Sequence, residues 1–369
     1  MKSRFEFSLA TIDDDAELRQ HMAENHMPGK ISISFRREPS YFRGSQVQGQ
    51  EVQVIKCVDR KLNHIAGLGC RAVSTAWVNG QLQRVGYLAD LRGQPAYRGQ
   101  TLLARGYRYL RQLHQQDTVR LYYTMILDDN LPARQLLESR RCELPQYRDI
   151  GRVLTPAIFL DIPRREINLP GIEFICAQQN QLSDILKFVN QCHAGRQLAP
   201  YYQESDFTRG RLQGLRPQDI YLAMRSNKIV GVCAAWDQSD FRQTHVEQYS
   251  TSWRMLRPIY NALAACSPLK PLPPEGSAIP FFYLSLIAIE NEDQTLFSAL
   301  LRHVYCARRT GYWHYFIAGL HQRDPLAPVL KKYRRIEAAG RLYLVHYPED
   351  EAAYEKLDER IPKIEIAGI

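Results

Sequence analysis

Hydrophobic and polar positions alternate with period two over Phe5 to Leu9, which predicts an opening strand. Thr11 then stands where a helix cap belongs, ahead of an acidic first turn in a helix over Asp13 to Glu24. Three strands follow at Glu51 to Val58, Ile65 to Val78 and Gln83 to Leu91, with Asn79-Gly80 as a hairpin turn between the last two. In Arg98 to Gln115 the pattern changes to helical spacing, with Leu102, Leu103, Tyr109, Leu110 and Leu113 on one face and Gly106 beside them. Arg120 to Leu127 is short and apolar, as a buried strand is. Asp128-Asp129 can cap a helix over Asn130 to Ser139, with Pro132 tolerated in its first turn.

Val153 to Ile162 reads as a further strand, and the charged, proline-punctuated stretch to Gly171 reads as a boundary. Beyond it the order of elements recurs, with a strand over Ile172 to Ala177, a helix over Leu182 to His193 and a strand over Phe281 to Ile289. Sliding the sequence by about 194 positions sets Gln100-Thr101-Leu102 on Gln294-Thr295-Leu296, Asn130 on Asp324, Ala133 on Ala327 and Leu136 on Leu330. The pattern predicts a duplicated unit, with domains over 1–163 and 171–350 and a tail over 351–369. Two domains also suit a chain of 369 residues.

Composition narrows the class. Hydrophobic residues are 45% of the chain and charged ones 24%, enough apolar surface for a soluble globular protein. No run approaches the roughly 18 apolar residues of a membrane helix, and no apolar signal core follows Met1, so a cytoplasmic location without membrane attachment is expected. The 8 cysteines are scattered and read as buried thiols. The 10 histidines lack HxH or HxxxH spacing, so no metal is expected. The formal charge of +9 is diffuse and favours a solvated basic surface over a nucleic-acid groove. Ser267 to Gly276 is proline-rich and reads as a stiff connection.

The chemistry-bearing stretch is Asp90-Leu91-Arg92-Gly93-Gln94-Pro95-Ala96-Tyr97-Arg98-Gly99-Gln100-Thr101-Leu102, a strand that breaks at a proline loop and enters a helix at an Arg-Gly turn. The free amides and positive dipole end of such a helix start suit a pyrophosphate. This stretch resembles the acyl-coenzyme A motif of the GCN5-related N-acetyltransferase (GNAT) family. Asn130-Leu131-Pro132-Ala133-Arg134-Gln135-Leu136 is similar to that family's second motif, and together the likeness spans about residues 4 to 160. The resemblance implies an α/β fold of mixed α+β sheets in two tandem GNAT-like domains. Each would have a mostly antiparallel central sheet flanked by helices, with one splayed parallel strand pair.

It further implies an acyl-coenzyme A dependent N-acyltransferase, with acetyl-coenzyme A as co-substrate and no metal. Transfer to a primary amine would proceed by direct attack on the thioester. Leu91, Arg92 and Gly93 would face pantetheine; Arg98, Gly99, Gln100, Thr101 and Leu102 would cradle the phosphates; Asn130 and Ala133 would flank the cofactor. Asp90 is the nearest carboxylate for a base. The family's frequent tyrosine acid is replaced by Leu137, which leaves Tyr122, Tyr147 or water to protonate the thiolate. Thr101 and Leu103 also replace two later glycines of the motif.

The second half departs further, because Glu290, Glu292 and Asp293 would repel a pyrophosphate. It is expected to pack, to bind acceptor or to support a homodimer. The acceptor is expected to be a small-molecule or peptide amine, met by loops such as Pro28 to Gly49 and Pro200 to Pro217. Two other classes fit the same residues: an inactive binding or assembly scaffold, and a transferase that takes its acyl group from aminoacyl-tRNA.

Overall fold

A computed structural model describes residues 3–97, 101–139 and 144–369. The first half runs β1 (Phe5–Leu9), α1 (Asp15–Glu24), β2 (Ile31–Arg36), α2 (Tyr41–Ser45), β3 (Glu51–Asp59), β4 (His64–Val78), β5 (Gln81–Gly93), α3 (Leu102–Gln115), β6 (Tyr122–Leu127), α4 (Leu131–Leu137), β7 (Gln146–Leu154) and β8 (Ala157–Phe159). The second half runs β9 (Glu173–Cys176), α5 (Leu182–Ala194), β10 (Ala199–Pro200), α6 (Ser205–Thr208), β11 (Ile220–Arg225), β12 (Lys228–Trp236), β13 (Gln243–Tyr249), α7 (Thr251–Ala265), β14 (Phe281–Ile289), α8 (Gln294–Arg309), β15 (Tyr315–Ala318), β16 (Leu320–His321), α9 (Ala327–Leu330), β17 (Arg335–Ile336) and β18 (Ala339–His346).

Most elements fall where the residue pattern puts them. Asn79-Gly80 turns the β4–β5 hairpin with both residues at positive φ. The cap of α4 is Asn130 rather than Asp128-Asp129, its carboxamide oxygen accepting from the Ala133 amide at 3.3 Å. The expected strand over Val153 to Ile162 is broken at Thr155-Pro156, since proline cannot continue a ladder.

That break redirects the chain from one sheet into the other. The first sheet has the order β1-β3-β4-β5-β6-β18-β7-β16, with β10 paired off β4. The second has the order β17-β8-β15-β14-β12-β11-β9. Thus β18, from the end of the chain, lies between β6 and β7 of the first sheet, while β8 from the first half lies between β15 and β17 of the second. The sequence boundary at 163–171 separates the helices, but strands cross it both ways, with β10, β16 and β18 in the first sheet and β8 in the second. A third connection is the two-stranded ribbon of β13 with β2, one strand from each half.

Each sheet contains one parallel contact, β5 with β6 and β14 with β15. Each also has a bulge just beyond it. On β5 the residues Asp90 and Leu91 lie opposite Gly69 alone, with Asp90 at φ 52. On β14 the residues Leu286 and Ile287 lie opposite Cys233, with Leu286 at φ 50. The repeat is therefore structural, although its offset drifts from 193 between Tyr122 and Tyr315 to 196 between the bulges. Of the cysteines, Cys57, Cys70 and Cys233 are buried as expected, whereas Cys176 and Cys266 are exposed and Cys142 lies outside the described residues.

Candidate active site at the splayed strands of the first half

The parallel contact of β5 with β6 covers only Gly86 with Tyr122 and Tyr87 with Tyr123. Past it the strands part, with the Thr124 hydroxyl donating to the Leu88 carbonyl at 2.7 Å as the last bridge. Gly86 permits this root. A Cβ there would stand 2.1 Å from the Tyr122 ring, so the ring lies directly against the glycine. Tyr87 and Tyr123 stack at 5.0 Å and close the base of the gap.

Asp90 sits on the bulge beside the gap. Its carboxylate pairs with Arg37 at 2.5 Å and accepts from the Tyr41 hydroxyl at 2.9 Å. Burial pushes the carboxyl up, but Arg37, Arg92 and Arg242 outweigh burial and hold it below the usual carboxylate range. Arg37 and Tyr41 come from the expected acceptor loop Pro28 to Gly49, and Arg242 from the second half. Nothing in their local pattern marks them, because they meet Asp90 only through tertiary contact.

Leu91 is exposed, Arg92 is half-buried, and a Cβ built on Gly93 meets nothing within 4 Å, so the strand end is open to solvent. Arg98, Gly99 and Gln100 lie outside the described residues. Tyr97, next to them, is buried and anchors the loop by donating to Asp59 at 2.9 Å. Thr101 occupies the cap position of α3, yet its side chain makes no capping hydrogen bond and the helix's first turn carries no acid. Asn130 caps α4, and Ala133 packs at the edge of the core beneath α3.

Tyr122 and Tyr147 are not brought to Asp90. The Tyr122 hydroxyl is held at 3.1 Å by both Arg71 Nε and His114 Nδ1, with the ring 1% exposed. The Tyr147 hydroxyl is bonded to that of Tyr107, and burial pushes both phenols up, Tyr107 to about 12. Both hydroxyls, expected as candidate acids, are thus engaged within the sheet and its flanking helix. Leu137 is buried in the same cluster.

The equivalent place in the second half is filled by the protein itself. Asp293 caps α8, accepting from the Thr295 and Leu296 amides at 2.7 and 3.1 Å. Glu290 pairs with Arg225 at 2.9 Å and Glu292 with Arg196 at 2.6 Å. The chain beyond β18 returns through the gap between β14 and β15. There Glu365 accepts from the Leu286 bulge amide at 3.0 Å, and Ile366 packs where a side chain on Gly319 would otherwise stand.

No family model and no curated protein matches the sequence. Solved structures do match over nearly the whole chain. A GCN5-related N-acetyltransferase from Sphaerobacter thermophilus aligns with 14% identity over 93% of this chain and 96% of its own, at a TM-score of 0.53. The fold is that of the acetyltransferases. Saccharomyces cerevisiae N-myristoyltransferase with bound myristoyl-CoA aligns with 10% identity over 94% and 83% of the two chains, at 0.58. A second GCN5-related N-acetyltransferase, from Anabaena variabilis, aligns with 12% identity over 92% and 72%, at 0.53. In the first half the strands part past Tyr87 and Tyr123 and Thr101 makes no cap, whereas in the second half Glu365 and Ile366 stand in the gap and Asp293 caps the helix. Among the described residues no helix is long and apolar enough to cross a membrane.

Proposed function

We propose that the chain is an acyl-coenzyme A dependent N-acyltransferase that works at the first half and transfers a short acyl group, acetyl, to a primary amine. One contrast carries this reading: the first turn of α3 has no acid and Thr101 makes no side-chain cap, whereas the Thr295 and Leu296 amides of α8 are occupied by Asp293. A helix start of this kind favours an anion by about 0.3–1 kcal/mol from its dipole alone, before direct amide bonds are added. The pyrophosphate would lie against Thr101 and Leu102, with Arg98, Gly99 and Gln100 completing the loop. Pantetheine would follow the open strand end at Leu91, Arg92 and Gly93, on the α4 side marked by Asn130 and Ala133. The bound thioester supplies the activated acyl carbon.

The residues of this chain then orient and exclude. Tyr87 and Tyr123 close the base of the gap, which suits a short acyl chain. Asp90, kept ionised by its arginines, accepts a hydrogen bond from the incoming neutral amine and takes one proton from it through water as the nitrogen attacks. The amine nitrogen bonds to the acyl carbon, the carbon–sulfur bond breaks, and the thiolate takes a proton from water, since Tyr122 and Tyr147 are engaged elsewhere. No covalent enzyme intermediate is needed.

Calorimetry with acetyl-coenzyme A tests the reading. Saturable binding that Arg98→Glu abolishes is expected, together with thiol release when amines are supplied. No binding by the intact chain would end the assignment. Binding without turnover of any amine would instead favour an inactive scaffold, a reading that the engaged tyrosine hydroxyls also support.

A further inference from the structure

Arg37 pairs with the carboxylate of Asp90, and Arg92 and Arg242 lie near enough for their charges to act on it. Arg37 follows β2 and pairs with Asp90 directly. Arg242 precedes β13, whose Gln243 is registered opposite Arg36, so the ribbon brings Arg37 and Arg242 to the same end from opposite halves. The ribbon end is locked, because the Gln243 side chain accepts from the Glu38 amide at 3.0 Å and donates to its carbonyl at 2.9 Å. Arg92 stands two residues past Asp90 on β5, close enough for its charge to act on the carboxylate, as does that of Arg242.

Their partners are unequal. Arg92 bonds the Asn25 carbonyl at 3.2 Å and leaves its Nε buried without a partner. Arg242 bonds the carbonyl of Ala367 at 2.9 Å, the side chain of Gln238 and the main-chain oxygen of Ile369. Neither pairs with a carboxylate side chain among the described residues other than through Asp90. Three cations thus face one carboxylate side chain in a half-buried place, where an unmatched charge is costly. A free carboxylate on Ile369 would offset Arg242 alone and still leave one guanidinium unmatched.

Resting on the acyltransferase reading, we propose that the acceptor is a primary amine that also carries an anionic group, a carboxylate or a phosphate. The anion seats against Arg92 and Arg242, and its amine lies at Asp90 beside the gap. Guanidinium is suited to both anions, because its planar fork donates two parallel hydrogen bonds. The ribbon then has a task, which is to complete the acceptor pocket of the first half with a residue of the second.

The test is transfer from acetyl-coenzyme A to matched pairs of amines: glycine against glycinamide, 5-aminopentanoate against 1-aminopentane, and phosphoethanolamine against ethanolamine. The acidic member of at least one pair is expected to have a kcat/KM on the order of 100-fold higher, consistent with a pair of charge-assisted hydrogen bonds. The pairs separate carboxylate from phosphate. Arg242→Gln should remove most of that preference through KM for the amine, with KM for acetyl-coenzyme A unchanged, and Arg242→Lys should restore part of it. Equal rates within every pair overturn the proposal while leaving acyl transfer intact. If no amine is acylated, calorimetry of the same pairs decides, and equal binding of acidic and neutral members overturns it. Failure to bind acetyl-coenzyme A is a separate result, which removes the acyltransferase reading instead.

Discussion

Gly86→Ala is the substitution on which the geometry of the gap depends most directly. The added methyl would meet Tyr122 ring atoms at 2.1 and 2.4 Å, well inside van der Waals contact. The ring cannot swing aside, because it is 1% exposed and its hydroxyl is held by Arg71 and His114. Arg71 is itself 2% exposed and paired with Asp117 at 2.7 Å. Overpacking of this kind costs about 1–3 kcal/mol, and each hydrogen bond lost by a displaced ring adds about 1 kcal/mol. The gain from a stiffer unfolded chain returns less than about 1 kcal/mol. The net expectation is about 3 kcal/mol, or a fall of about 6–12 °C in the melting temperature of a unit this size. Acyl-coenzyme A binding should weaken with it, since the two strands part at this residue. Thermal and urea denaturation in a double-mutant cycle supply the control. Tyr122→Phe keeps the ring but not the hydroxyl and should leave the overpacking part, about 1–3 kcal/mol, while Tyr122→Leu should reduce the penalty to under about 1 kcal/mol. An unchanged stability for Gly86→Ala, or an equal penalty in the Tyr122→Leu background, would refute the argument.

Asp90 is held below the usual carboxylate range, so kcat/KM should show no acid limb from it between about pH 5 and 8 and should rise with deprotonation of the acceptor amine. A limb near pH 6 that disappears in Asp90→Asn would contradict this. His193 is buried and neutral, its Nδ1 bonded to the Pro200 carbonyl at 2.7 Å, and burial lowers it to about 3. The unfolded chain binds that proton first, so stability is whole above about pH 6.5 and falls below it, by about 2 kcal/mol at pH 5. Denaturation at several pH values should show the slope, and His193→Gln should flatten it. Asp293→Ala should cost about 1 kcal/mol by urea denaturation as a lost helix cap, without creating a second acyl-coenzyme A site by calorimetry, because Glu365 and Ile366 still fill that gap. Truncation after residue 338 removes β18 from the middle of the first sheet, and circular dichroism should show that the remainder does not retain a folded first half.

Much of this architecture is written in local pattern. The β4–β5 hairpin is announced by Asn79-Gly80, and α3 by the spacing of its leucines, because turn chemistry and amphipathic period act over a few residues. The exchange of β8 and β18 is not. Ala339–His346 reads as a strand whichever sheet receives it, and its partners β6 and β7 lie about 190–220 residues earlier in the chain, beyond any local signal. The positive φ of Asp90 was hidden for a related reason, since an aspartate carries no mark of a bulge that its partner strand imposes. Arg37, Tyr41 and Arg242 became site residues only when β2 and β13 paired. One local mark does exist: an isolated glycine inside a strand, Gly86, signals a close approach, and that approach is by the Tyr122 ring.

Duplication offers two strand gaps, and the structure treats them in opposite ways. In the second half the bulge amide of Leu286 is satisfied by a carboxylate of the same chain, and the helix amides by the neighbouring Asp293. Those bonds satisfy the polar groups that a ligand would otherwise have to meet, so this half gains stability where it gives up binding. The chain that fills the second gap continues to Ile369, which joins the apolar cluster of Tyr87 and Ala89 at the first. Arg242 bonds its last carbonyls there, close to Asp90. Filling one gap and walling the other are therefore done by one segment. The exchanged strands fix the distance that this segment must span, because neither sheet is complete without the other half. On the proposed function, the second half then serves as the frame on which the acceptor side of the first half is built.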